Sequence, residues 1–316
     1  MTSAAPAQSV AATTGTALRV PRSTDGTAAS RIRAVLLGIA GIVLLGVIWE
    51  LYKAVAPADG VAIGTLTVLP RTSDVAMPHL WSMFTRLGEP VTAGPGSPLL
   101  VVAVVRACAV TLGISAAGWV AGVVVGLLLA LLMQRFRTAE SALLPWVILS
   151  QTVPLIALAP LVAGLVAQIR LGSPVPQWVP VAIIASYLAF FPVSVGALRG
   201  LGSPERAHVD LFRSYAVGWW PTLVRLRFPA SVPYLLSALR LAAANAVIGA
   251  VVAEVSIGLD GGIGRLMLTY AQSSSGDPAK PFGPIFGAIG VGLIAAGAVA
   301  LLGVALRRWR RGEVAA

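Results

Sequence analysis

The 316-residue chain is 57% hydrophobic and 11% charged, with a mean hydropathy of +0.86, values that exclude a water-soluble globular domain and make lipid the main solvent. Its formal charge of +11 does not indicate a nucleic-acid partner, because no basic patch interleaved with aromatics occurs outside one loop; basic residues in a polytopic chain record orientation. The single cysteine, Cys108, excludes an intrachain disulfide and, set among Val and Ala, reads as a small buried apolar residue.

In chain order, residues 1–30 are rich in Ala, Thr, Ser and Gly and read as a disordered tail. Residues 31–316 then form one membrane domain. Spanning a bilayer takes about 20 apolar residues, and six runs approach that length: Ala34–Ala56, Val110–Met133, Ala142–Ala167, Trp178–Leu198, Leu235–Val255 and Ile285–Leu306. The fold expected is therefore all-α with six transmembrane helices. Arg31, Arg33 and Ala54-Val55-Ala56 imitate a secretory signal with its cleavage site, but the apolar stretch outruns the usual h-region of about 7–15 residues and reads as a span. Between the first two spans Pro57–Pro98 is polar and rich in Pro and Gly, and Pro78–Leu87 within it has the pattern of a short interfacial helix.

The flanks orient the spans. Arg19, Arg22, Arg31 and Arg33 precede the first, Arg135 and Arg137 follow the second, and Arg307, Arg308, Arg310 and Arg311 follow the sixth. If the spans alternate, all lie on one side, as do Arg199, Arg206, Arg213, Arg225 and Arg227 of the 199–233 loop. Lys53, Arg71, Arg86, Arg106, Arg170, Arg265 and Lys280 are thinly scattered opposite. Both termini and the loop are accordingly expected in the cytoplasm.

That loop, RGLGSPERAHVDLFRSYAVGWWPTLVRLRFPASVP, is far longer and more basic than a span connection requires. Ser203 as N-cap, Pro204 at the first helical position and Glu205 at the positive dipole end predict a short helix. Val209, Phe212 and Ala216, with Leu211 and Tyr215 beside them, give it an apolar side, opposite Arg206, Asp210 and Arg213. Gly218 permits a bend; Pro221 is expected to open a second short helix and Pro229 to end it. Two readings suit the pattern, a helix lying on lipid headgroups and a docking surface for a soluble partner.

Inside the spans polar residues are few. Ser150, Gln151 and Thr152 precede Pro154, where an interrupted helix frees carbonyls that can line a cavity. Asn245 and Glu254 lie in the fifth span, and an acid at that depth must face protein or a cavity. These five are the candidate translocation-pathway residues; the alternative for Ser150, Gln151, Thr152 and Asn245 is ordinary interhelical hydrogen bonding, and for Glu254 a hydrated position near the outer end of its helix. His79 and His208 are far apart and offer no metal or catalytic spacing.

The loop resembles the coupling segment of the permeases of binding-protein-dependent ABC importers, whose signature is E-A-A-x3-G-x9-I-x-L-P. Here Asp210-Leu211-Phe212, Ala216, Leu226, Phe228 and Pro229 stand at its positions, with Asp for Glu, Leu and Phe for the two alanines and Ala for the glycine. Similarity continues through Pro233, Arg240, the VVAEV around Glu254, the GGIG of Gly261–Gly264, SQTVPLIALAPL at Ser150–Leu161 and FFPVSVGALRGL at Phe190–Leu201, covering most of Leu99–Leu306. The nitrate, sulfonate, taurine and pyrimidine-precursor permeases are the most similar branch, and the QTVP, ALAP and LRGL segments look most like permeases for thiamine-precursor pyrimidines, riboflavin and related heterocycles. The resemblance implies a multi-pass subunit of a bacterial inner membrane, working as a dimer with a second permease copy. A separate extracytoplasmic binding protein would deliver the solute, and a cytoplasmic ATPase dimer would use ATP and Mg. Asp210, Leu211, Phe212, Tyr215, Ala216, Gly218 and Pro229 would form the ATPase-coupling surface. No G-x4-G-K-[ST] loop occurs, so the chain is not expected to hold nucleotide in that way or to act as an enzyme. A membrane-embedded enzyme would need converging acids or a nucleophile, which only Glu254 approaches; an uncoupled channel would not need the loop.

Overall fold

The computed structural model describes residues 28–63, 66–171 and 173–305; the expected tail and the C-terminal arginines therefore fall largely outside the described residues. The chain divides into two compact units, Met1–Val55 and Ala56–Ala316. In the first, α1 spans Ala28–Val55. From Ile32 onward its large aliphatic side chains are exposed on all sides, the surface of a helix made for lipid.

The second unit opens with a small antiparallel hairpin, β1 (Val61–Ile63) and β2 (Leu66–Leu69). The expected interfacial helix follows as α2, Leu80–Arg86. Next come α3 (Leu100–Arg135), α4 (Arg137–Ser150), α5 (Leu155–Ala167), the minimal hairpin β3 (Arg170–Leu171) and β4 (Ser173–Pro174), and α6 (Trp178–Leu201). The 199–233 segment supplies α7 (Arg206–Ser214) and α8 (Trp219–Thr222), and α9 (Phe228–Ile257), α10 (Ile263–Gln272) and α11 (Phe282–Ala305) complete the chain.

Five stretches are individually long and apolar enough to cross a membrane: α1, α3, α6, the run from α8 through α9, and α11. The predicted third span, Ala142–Ala167, differs: it divides into α4 and α5, which meet at 103°. Pro154 has no N–H to continue the ladder and forces Val153 out of helical geometry. Pro154 itself is extended at φ −60° and ψ 115°, and its carbonyl starts α5 by accepting from Ala157 and Leu158.

Packing of α3, α6 and α9 builds the core. Gly118, Gly122 and Gly126 form a stripe along α3, and a Cβ on Gly118 would lie 2.5 Å from Ala185 Cβ, one on Gly122 2.7 Å from Ala189 Cβ, and one on Gly126 2.8 Å from Val193 Cβ. Only glycine permits this approach. Hydrocarbon supplies no hydrophobic drive between helices, so close van der Waals contact between small residues holds them together. The paired numbers rise together, so α3 and α6 run parallel. Against α9 they run in opposite senses, Gly196 meeting Ala238, Gly200 meeting Ser231 and Gly249 meeting Ala185. Asn245 donates to the Leu188 carbonyl at 3.3 Å and Trp119 to that of Leu239 at 3.2 Å, tying α9 to both neighbours. Because α3 and α6 are parallel neighbours, the chain between them must return across the bundle; α4 and α5 together make that return, as a bent sixth crossing.

A second cluster of Leu100, Val104, Ala107, Ile263 and Tyr270 packs at the other end of α3. There Arg86 of α2, mostly buried, donates to Asp277 at 2.7 Å and to the Pro90 carbonyl at 3.0 Å. Lys280 donates to the Val91 carbonyl at 2.8 Å and lies 4.7 Å from the Tyr270 ring centre. These contacts clip α2 to the α10–α11 connection. Burial raises the Tyr270 phenol above the usual tyrosine range, with the Arg86 charge opposing.

Candidate functional site

The expected helix in the 199–233 segment forms as α7, but it starts two residues later than the sequence signals imply. Ser203 is not its cap. The Ser203 hydroxyl donates to the carbonyls of Gly200 at 2.8 Å and Ala230 at 3.3 Å, joining the end of α6 to the start of α9. Glu205, extended at φ −57° and ψ 144°, takes the N-cap position, and its carbonyl accepts from His208 and Val209. No residue of α7 is buried. Leu211 is 51% and Tyr215 75% exposed, one helical turn apart on the same face. Asp210 is exposed beside them and faces Arg213 at 3.7 Å.

The helix ends in a turn whose hydrogen bonds identify its pivot. Ala216 N–H donates to Arg213 O at 2.9 Å, Val217 N–H to Phe212 O at 3.0 Å, and Ala216 has φ +54°. This is the Schellman arrangement, with the left-handed residue just past the C-cap. Ala216 is the one non-glycine residue with positive φ among the described residues. Gly218, expected as the bend, is not the pivot: at φ −62° and ψ 167° it is extended and opens α8. The left-handed residue is thus an alanine, at the position where the coupling signature carries glycine.

Pro221 and Pro229 also act differently from expectation. Pro221 is the third residue of α8, and Pro229 does not end a helix but sits in the first turn of α9. Between them Leu223–Arg227 is π-helical, with Phe228 N–H bonding to Leu223 O. A proline at 229 cannot donate to the carbonyl four residues back, and a wider i→i+5 turn is one way a helix absorbs such a gap. The consequence is mechanical: Trp219–Ile257 is one run of 39 residues. Its root is tied down where Trp219 donates to Gln134 at 3.1 Å, Arg135 lies 5.2 Å from the Trp219 ring centre, and Arg227 donates to Leu201 O at 3.0 Å. These contacts join the start of that run to the ends of α3 and α6.

The five polar pathway candidates do not form one cluster. Ser150 and Thr152 donate to the carbonyls of Val147 and Leu149, Gln151 donates to Ser150, and the Tyr187 hydroxyl caps the Ser150 carbonyl, all at the α4–α5 bend. Asn245 bridges α9 and α6. Glu254 lies nine residues further along α9, about 13 Å at 1.5 Å per residue. It is fully buried and faces protein. Thr111 Oγ1 donates to its Oε1 at 2.8 Å, Gly264 N–H donates to its Oε2 at 2.9 Å, and Ile263 N–H donates to Thr111 Oγ1 at 2.9 Å. The carboxyl group thus takes the Gly264 amide directly, and the Thr111 hydroxyl that donates to it takes the Ile263 amide, two donors at the start of α10 that have no intrahelical acceptor of their own. Gly262 and Gly264 leave it room, since a Cβ on either would strike Glu254. Thr111 went unnoticed in the sequence, where a lone threonine in an apolar run carries no local signal. Among the described residues no group of three or more His, Cys, Asp or Glu could hold a metal ion.

Residues 122–311, more than half of the chain, match the family described as binding-protein-dependent transport system inner membrane component. The formylaminopyrimidine transport permease protein ThiX of Halalkalibacterium halodurans is 34% identical over 204 residues, 64% of this chain and 76% of the relative. The putative aliphatic sulfonates transport permease protein SsuC of Bacillus subtilis is 25% identical over 270 residues, 85% and 87% of the two chains. The riboflavin transport system permease protein RibX of Chloroflexus aurantiacus is 26% identical over 129 residues, 39% and 43%. With its apolar helices, its broken span and a helix–turn segment at the position of the coupling signature, the chain belongs to the multi-pass inner-membrane permeases of binding-protein-dependent ABC importers.

Proposed function

We propose that two copies of this chain form the translocation pathway of an importer for a small heterocycle of the pyrimidine-precursor or riboflavin type, with sulfonates as the second cargo class. The names of ThiX, RibX and SsuC support these classes, and the higher identity to ThiX, 34% against 25% for SsuC and 26% for RibX, favours the pyrimidine. A separate extracytoplasmic protein would present the cargo. ATP and Mg would be held by a cytoplasmic ATPase dimer, and this chain would supply no catalysis. The positive-inside bias supports placing both termini and the 199–233 segment in the cytoplasm.

The observation that carries the coupling role is α7 with its turn at Ala216. It exposes Leu211 and Tyr215 beside Asp210 and leads within a few residues into the continuous run that contains α9. Docked in an ATPase cleft, it would convert ATPase closure into a rigid-body change in the packing of the spans. Glu254 would then hold α10 in place; Ser150, Gln151, Thr152 and Asn245 stay pathway candidates at the bend and along α9.

The test is to co-express the chain with its ATPase and binding protein and measure uptake, ATPase turnover and co-purification. Ala216→Trp should insert normally, lose the ATPase and abolish uptake; normal uptake by that variant refutes the coupling assignment. Thermal stabilisation of the binding protein by a formylaminopyrimidine but not by an alkanesulfonate decides the cargo class.

A further inference from the structure

Five arginines from five different segments converge on one cavity of about 790 Å³: Arg135 ends α3, Arg137 starts α4, Arg199 ends α6, Arg213 lies in α7 and Arg227 in the π-helical turn. The only carboxylate lining it is Glu140. Among the described residues Arg135, Arg137, Arg199 and Arg227 have no carboxylate within ion-pair distance, and Arg213 is paired with Asp210 only at 3.7 Å on exposed surface. Gathering like charges is unfavourable unless an anion joins them. Two of the groups are nonetheless held in place: Arg135 lies 5.5 Å and 5.2 Å from the ring centres of Phe136 and Trp219, and Arg227 is fixed to Leu201 O. Part of the lining is apolar, formed by Leu144, Ile148 and Phe191, and Ile148 and Trp146 are also exposed on α4.

We propose that this cavity binds a phosphate-type oxyanion gripped by its guanidinium groups, the Leu144–Ile148 face receiving the apolar part when the oxyanion is a lipid headgroup. Arginine suits the task because its planar fork donates two hydrogen bonds to one oxyanion. The oxyanion can come from a membrane phospholipid, since basic pockets between helices at the cytoplasmic surface take lipid headgroups, or from free phosphate. The inference goes beyond the transport reading and does not depend on the cargo.

Delipidated wild-type protein in neutral detergent is titrated with phosphatidylglycerol or phosphatidylcholine of matched chains and followed by native mass spectrometry, with and without inorganic phosphate. Phosphatidylglycerol should bind about tenfold more tightly or better, and the double variant Arg137→Gln/Arg199→Gln should lose that preference, two headgroup contacts being removed. Among the described residues neither guanidinium group makes a hydrogen bond or ion pair within the chain, so the variant should fold; the wild-type lipid comparison stands without it. Arg225→Gln, exposed and outside the cavity, should keep the preference. Displacement of the lipid by millimolar phosphate assigns recognition to the oxyanion alone, whereas resistance to phosphate assigns it to the whole lipid. Equal binding of the two lipids with no effect of phosphate overturns the proposal. An equal loss of preference in Arg225→Gln also overturns it, because a generic basic surface would then suffice.

Discussion

Replacing Ala216 by glycine should tighten the end of α7. At φ +54° a side chain crowds the neighbouring carbonyl, at about 1–2 kcal/mol. Glycine removes that strain but restores about 0.4–1 kcal/mol of unfolded-chain entropy. The difference favours glycine by about 0.5–1 kcal/mol, a two- to fivefold change in the closing equilibrium of the turn. The reporters are the N–H groups of Ala216 and Val217, bonded to Arg213 O and Phe212 O, which must open with it. Hydrogen exchange by mass spectrometry in nanodiscs, on peptides covering 206–217, should show slower exchange in Ala216→Gly. Val217→Pro should do the reverse along the whole helix, because it deletes one of those donors and drives residue 216 toward extended geometry. Gly218→Ala should be close to neutral: the residue is already extended, and a Cβ there meets only Pro221 at 3.8 Å. Faster exchange in Ala216→Gly, or loosening by Gly218→Ala alone, would refute the assignment of the turn.

Three further outcomes follow from the packing. Gly122→Leu should abolish monodisperse protein in size-exclusion chromatography, because its Cβ would already lie 2.8 Å from the Ser186 carbonyl; Gly113→Leu, with open space around it, should behave as wild type. Glu254→Ala should destabilise by about 2–5 kcal/mol, since it strands the Gly264 amide and the Thr111 hydroxyl in a dry interior. Glu254→Gln, which keeps an acceptor oxygen, should cost less, and Thr111→Val combined with Glu254→Ala should cost less than the sum of the two; thermal unfolding in detergent measures all three. Arg86→Met should release the connection that follows α10 and cost about 1–3 kcal/mol, read as faster proteolysis within residues 273–281, because Arg86 is mostly buried and bonded to both Asp277 and Pro90.

The sequence alone determined the solvent and most of the crossings: α3, α6, α9 and α11 stand where apolar runs of bilayer length lie, because hydropathy over 20 residues is a local property that neighbours need not supply. The capping and proline signals of the 199–233 segment likewise announced a short helix, found as α7, and Pro154 marked a break. Tertiary structure decided how far each break goes. Pro154 bends its span by 103°, whereas Pro229 is absorbed into a continuous run by a π-helical turn, since a proline only deletes one donor and the surrounding packing sets the response. Ser203 was drawn away from its capping role by Ala230, 27 residues on, and the left-handed turn fell on Ala216 although a glycine lay two residues away. Glu254 showed in the sequence as a costly acid, but its partner Thr111 is 143 residues distant. The glycine stripe of α3 became meaningful only once α6 lay against it. Pairings of this kind arise from three helices closing to contact distance, a geometry that no one-dimensional periodicity encodes.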